Sequence, residues 1–118
     1  MPRLLLADDD PAFRRQLEEL LTANLPGLEI VASVGNGHEA VAAAMAHSPG
    51  LVVIDYAMPG PSGGHAAAVI QQALPGTLIV VVSGLSAEDT PELPPDVLLV
   101  RKGAGIERDL IDALAAHA

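Results

Sequence analysis

The stretch Leu51-Val52-Val53-Ile54-Asp55-Tyr56-Ala57-Met58-Pro59-Gly60 decides the fold. It opens on a continuous apolar run in which Val52, Val53 and Ile54 are β-branched, with no alternation of polar and apolar positions. A run of that kind is buried on both faces, the condition of a central strand in a parallel sheet. Asp55 ends the run, and Met58 to Gly64 follows as a Pro/Gly-rich loop.

Outward from this strand, the same pattern recurs at Arg3 to Ala7, Leu28 to Ser33, Leu78 to Val82 and Val97 to Val100. Helical signals lie between the runs. Asp10 followed by Pro11 is a capping side chain before a proline at the first helical position. Phe13, Leu17, Leu20 and Leu21 then recur at helical spacing, with Arg14, Arg15, Glu18 and Glu19 on the opposite side, up to Leu25-Pro26-Gly27. Asn36-Gly37 reads as a turn, His38 to His47 as an Ala-rich helix with Met45 in the core, His65 to Leu74 as a third helix and Ile106 to Ala116 as the last. Between Ser86 and Pro95, the prolines 91, 94 and 95 leave room for a short helix at most. Strand and helix thus alternate five times with short connections, which predicts a doubly wound parallel sheet with helices on both faces.

The 118 residues fit one domain, expected to span 1–118 with no effector domain after the last helix. Aromatics are reduced to Phe13 and Tyr56, so the core is expected to be aliphatic. The absence of cysteine excludes disulfides, thiolate nucleophiles and Cys-ligated metals. The opening residues lack a signal-peptide pattern, and no apolar run has the length of a membrane span, so a cytoplasmic protein is expected. A net charge of −9 disfavours direct binding to nucleic acid or an anionic membrane.

In open parallel sheets, sites form beyond the carboxyl ends of the strands. Asp8 and Asp9 follow the first strand, Asp55 the third, Ser83 the fourth and Lys102 the fifth. Asp55 is the only Asp, Glu, Lys or Arg between Glu39 and Glu88, and Lys102 is the only lysine. A lone carboxylate at the end of an apolar strand is costly without a partner, and Lys102 or a cation would supply one. Three close carboxylates repel one another unless a cation neutralises them. Oxygen-only ligands suit Mg²⁺, which takes one or two carboxylates, waters and a phosphate. Asp55 would then be a carboxylate nucleophile that forms an aspartyl-phosphate. Lys102 would hold one phosphoryl oxygen as a point charge, and Ser83 would donate a hydrogen bond to another. Taken singly these residues have bland readings. Asp10 reads as a helix cap, Ser83 before Gly84 as turn chemistry, Lys102 as a surface lysine, and His38, His47, His65 and His117 as solvated.

These motifs, in order, resemble the receiver domains of two-component response regulators. Leu4 to Pro11 is similar to their first strand and acidic pair, Leu51 to Gly60 to their phosphoacceptor strand with its Met-Pro-Gly, Val80 to Gly84 to the strand with the switch hydroxyl, and Leu98 to Ala104 to the strand with the lysine. Leu25 to Glu29 and Asn36 to Ala40 are most similar to receivers of LuxR-type regulators. The resemblance implies a flavodoxin-like (βα)5 sheet of strand order 2-1-3-4-5, here with a shortened fourth helix. It implies Mg²⁺ held by Asp9, Asp55 and the backbone carbonyl of Ala57, with Asp8 acting through water. It implies phosphorylation of Asp55 by a histidine kinase or small phosphodonor, followed by a shift of Ser83 and Lys102 that remodels an output face. The chain would catalyse only its own phosphorylation and dephosphorylation. Implied partners are a histidine kinase, an output protein or effector domain and, optionally, a second copy of the chain.

Three departures bear on output. Leu99 stands where receivers usually carry a switch aromatic, Gly103 where proline often follows the lysine, and prolines interrupt the fourth helix. Ala57 and Leu85, at the positions that steer the hydrolytic water in the family, offer no polar group, so slow autodephosphorylation is expected. A pseudo-receiver that binds partners without phosphorylation is the alternative. A magnesium phosphohydrolase or nuclease lacks a suitable His or Glu near the strand ends, and a dinucleotide-binding protein lacks the Gly-rich turn.

Overall fold

The computed structural model describes residues 2–84, 93–103 and 105–116. In chain order they form β1 (Arg3–Ala7), α1 (Pro11–Asn24), β2 (Glu29–Val34), α2 (Gly37–His47), β3 (Leu51–Asp55), α3 (Gly63–Ala73), β4 (Leu78–Ser83), β5 (Val97–Arg101) and α4 (Ile106–Ala115). The strands make one sheet of order β2-β1-β3-β4-β5 with every pairing parallel. This is the flavodoxin-like arrangement that the alternating pattern and the resemblance imply. Of the expected short helix over 86–95, most lies outside the described residues, and residues 93–95 are not helical.

The strand period of two sorts the core into two halves. Leu4 and Leu6 of β1, Leu51 and Val53 of β3, Val80 and Val82 of β4 and Val100 of β5 pack with Leu17 and Leu21 of α1 and Leu110 and Leu114 of α4. The alternate residues Leu5, Ala7, Val52, Ile54, Ile79 and Val81 pack with Ala40 and Ala44 of α2 and Ala66, Ala67 and Ile70 of α3. Both halves are aliphatic, as the scarcity of aromatics requires. Met45 is not core: it is an exposed hydrophobic residue, 44% accessible, on the solvent side of α2. Met58 is buried instead, against the α2–α3 half.

Caps set the helix starts. Asp10 Oδ1 accepts from the N–H groups of Ala12 and Phe13 at 3.0 and 3.3 Å, with Pro11 at the first helical position. Asn36 is an N-cap rather than the centre of a turn: its Oδ1 accepts from Glu39 N, and its Nδ2 donates to Glu39 Oε1, both at 2.8 Å. Ser62 caps α3 by accepting from His65 N, so that helix begins at Gly63, two residues ahead of the expected His65. The two glycines that this early start requires weaken the propensity signal. Gly63 is needed sterically, because a Cβ there would overlap the carbonyl oxygen of Asp55 and the Cα of Tyr56. Gly63 N in turn donates to Tyr56 O at 2.7 Å. The loop after β3 is thereby tied down at its far end, which fixes the backbone that carries Asp55.

Candidate functional site

The carboxyl ends of β1, β3, β4 and β5 meet at one edge of the sheet. The β1–β3 register ends on Ala7 opposite Ile54, so Asp8 and Asp55 leave their strands side by side. Lys102 N donates to Ser83 O at 2.9 Å, which continues the β4–β5 ladder one residue and brings Lys102 to the same edge.

Lys102 Nζ lies 3.2 Å from Asp55 Oδ1 and 3.8 Å from Asp8 Oδ2. Asp8, Asp55 and Ser83 are buried, 2, 4 and 1% exposed, whereas Asp9 faces solvent. One carboxylate oxygen each from Asp8, Asp9 and Asp55 lie within 4.8 Å of one another. Asp8 Oδ1 accepts from Asp10 N at 2.9 Å, which orients the carboxylate and forms the turn into α1. Asp10 therefore caps the helix and also braces the neighbouring acidic residue.

The electrostatics follow from this crowding. Burial pushes the Asp55 carboxyl above the ordinary carboxylate range, the Asp8 charge pushes it the same way, and the Lys102 charge and hydrogen bond offset only part of this. Burial also raises Asp8, against the pull of the Asp10 N–H and of Lys102. One ammonium is shared between two buried carboxylates, so the cluster keeps an excess of negative charge. Carboxylate oxygens are hard donors, and an under-compensated anionic cluster of this kind fits a hard divalent cation such as Mg²⁺. Asp8, Asp9 and Asp55 are the residues that could hold it.

All the side chains singled out from sequence are thus brought to one edge, with Asp8, Asp9, Asp55 and Lys102 in one constellation and Ser83 at the end of β4 beside them. Ala57 lies in the loop two residues past β3, exposed. Leu85 and Ala104 lie outside the described residues. Two neighbours were not anticipated. Arg14, expected on the solvent side of α1, turns its guanidinium back, and Nη1 donates to Asp8 O at 2.6 Å and Val34 O at 3.2 Å. Phe13, expected only as core, places its ring 5.1 Å from Lys102 Nζ. Both lie in the first turn after the Asp10–Pro11 cap, and that proximity to the acidic run was the available signal.

A family model described as a response regulator receiver domain matches residues 4–93. A protein-glutamate methylesterase/protein-glutamine glutaminase of Pseudomonas fluorescens is 36% identical over 86 residues, covering 73% of this chain and 22% of that protein. The chain thus spans less than a quarter of the length of such a relative. Among solved structures, a DNA-binding response regulator of the LuxR family from Staphylococcus aureus has a TM-score of 0.82 at 23% identity, over 98% of each chain. A chain of the CheX–CheY–BeF3–Mg complex from Borrelia burgdorferi has a TM-score of 0.81 at 19% identity, over 99% of this chain and 90% of that one. At these identities the structural likeness is one of fold.

Proposed function

The chain belongs to the response regulator receiver domain family of two-component signal transduction, and we propose on that premise that Asp55 is its phosphoryl acceptor. The observation that carries the assignment is the buried Asp55 carboxylate, 3.2 Å from the only lysine and flanked by Asp8 and Asp9. The curated relatives share this region and carry several times its length besides, so their esterase and glutaminase activities are not assigned to residues 1–118, which we read as one receiver unit.

An Asp55 oxygen attacks phosphorus in line with the leaving group. The new bond is O–P. The bond that breaks joins phosphorus to the imidazole nitrogen of a kinase phosphohistidine, or to the acyl oxygen of a small phosphodonor, and its electron pair leaves with that atom. Mg²⁺ held by Asp9, Asp55 and the Ala57 carbonyl, with Asp8 acting through water, would supply neutralising charge to the phosphoryl oxygens. Lys102 exchanges its contact with the carboxylate for one with a phosphoryl oxygen. Ser83, at the end of β4, donates its hydroxyl hydrogen to another. Asp8 and Asp9 are not the nucleophiles in this reading: the Asp8 carboxylate is held by Asp10 N, and Asp9 is exposed. Binding to partners without phosphorylation has no observation in its favour.

Incubation with acetyl phosphate and millimolar Mg²⁺ is expected to add the mass of one phosphoryl group to the intact protein, and Asp55→Asn to abolish the gain. A wild-type protein that stays at its original mass under these conditions overturns the assignment.

A further inference from the structure

The chain has one phenylalanine and one lysine, and the structure brings them together. Phe13 is in the first turn of α1, half-buried against the Leu17–Leu21 side of the core. Lys102 follows β5, separated from Phe13 by most of the sequence. Its ammonium lies 5.1 Å from the centroid of the Phe13 ring, inside the roughly 6 Å reach of an attraction between a cation and an aromatic face. The same ammonium faces Asp55 at 3.2 Å and Asp8 at 3.8 Å. Three groups therefore define its position, and two of them, Asp8 and Phe13, belong to the β1–α1 segment.

We propose that Phe13 is a positioning residue for Lys102, whose ring face holds the ammonium beside Asp55 in the place where a phosphoryl oxygen must be met. The inference rests on the reading of Asp55 as phosphoryl acceptor. Lysine side chains have several rotatable bonds, and a third of this one is open to solvent. Without a wall on the α1 side, the ammonium could leave the carboxylates for water at little cost. The ring provides that wall while offering no hydrogen-bond acceptor, so it restrains the ammonium without competing for it when a phosphoryl oxygen arrives. It also links the lysine to α1. When the ammonium moves toward the phosphoryl group, its contact with the ring changes, and the first turn of α1 registers the change. With Leu99 in β5 and 36% exposed, β5 has no aromatic to play such a part at that position.

The test uses the full chain in three forms: wild type, Phe13→Leu and Phe13→Tyr. Leucine keeps an apolar side chain and removes the π face, while tyrosine keeps the face. Phosphorylation by acetyl phosphate is expected to slow about two- to fivefold in Phe13→Leu and to return in Phe13→Tyr. The second readout is NMR of lysine-labelled protein, in which Lys102 gives the only lysine signal. Its side-chain protons are expected upfield in wild type and Phe13→Tyr from the ring current, and at ordinary shifts in Phe13→Leu. Beryllofluoride with Mg²⁺ should move the wild-type signal. An unshifted lysine signal in wild type, or equal phosphorylation rates for Phe13→Leu and wild type, overturns the positioning role. Failure of the Asp55 reading looks different: the ring-current shift is present, but neither phosphorylation nor a response to beryllofluoride occurs, and the proposal falls with the reading on which it rests.

Discussion

Asp55 shows how one residue can be legible in sequence while its energetics are not. Its isolation in an apolar stretch marks it as a site residue, but only the fold places it against Asp8 as well as Lys102. Burial and the Asp8 charge raise its carboxyl above the ordinary range. The consequence for stability has a definite sign. A carboxyl raised on folding binds more protons in the native than in the unfolded chain, so stability falls as pH rises from the unfolded value near 3.8 through the raised native one. In metal-free protein, Asp55→Asn is therefore expected to match wild type at pH below that window and to be more stable than wild type above it. Thermal unfolding in chelator between pH 3.5 and 8 measures the gap. A gap that does not open with rising pH would show that Lys102 fully compensates the buried charge.

At the scale of elements, the β3–α3 junction sets the reach of the site. Gly63 begins α3 under the carbonyl of Asp55, where any side chain would collide with backbone. Gly63→Ala is expected to cost about 1–3 kcal/mol as an overpacked position. It is also expected to lower the phosphorylation rate, because the backbone displaced is that of Asp55 and Tyr56. Denaturant unfolding and intact-mass phosphorylation together check this, and Gly76→Ala, at a position with open space around it, is the control. Elements also show where sequence patterns misled. All five strands and the last helix begin and end within a residue of expectation because apolar runs mark them directly. α3 starts early because Ser62 caps it, and Met45 turns out to face solvent because α2 is apolar on nearly every side, so its periodicity could not say which face is inward.

At the scale of the whole molecule, the two half-cores have different demands. The α1–α4 half depends on large side chains, Leu110 and Leu114 of α4 being fully buried in one cluster with Leu17 and Leu21 of α1 and with residues of the sheet, whereas the α2–α3 half packs alanines closely on the sheet. Leu110→Ala is expected to destabilise the chain by roughly 2–5 kcal/mol. It should leave the folded fraction able to accept a phosphoryl group, since the residue belongs to the hydrophobic half-core and not to the polar cluster at the strand ends; unfolding midpoint and phosphorylation measured on the same sample separate the two effects. Among the described residues no helix is long and apolar enough to cross a membrane.

The sequence by itself determined the class of fold and the identity of the side chains that the fold gathers at one edge of the sheet. Apolar runs of strand length alternating with helical segments allow few arrangements, and the topology delivers whatever follows each strand to one edge of the sheet. That rule sufficed to pick out Asp8, Asp9, Asp55, Ser83 and Lys102. Only the tertiary structure decided how these groups meet: which carboxylates are buried, that both compete for one ammonium, that Arg14 folds back onto the Asp8 carbonyl, and that Phe13 faces Lys102. The reason is physical. Strand period and capping act between near neighbours in the chain, whereas desolvation, shared ion pairs and the approach of an aromatic face to a cation depend on distances between segments far apart in sequence, which packing alone sets.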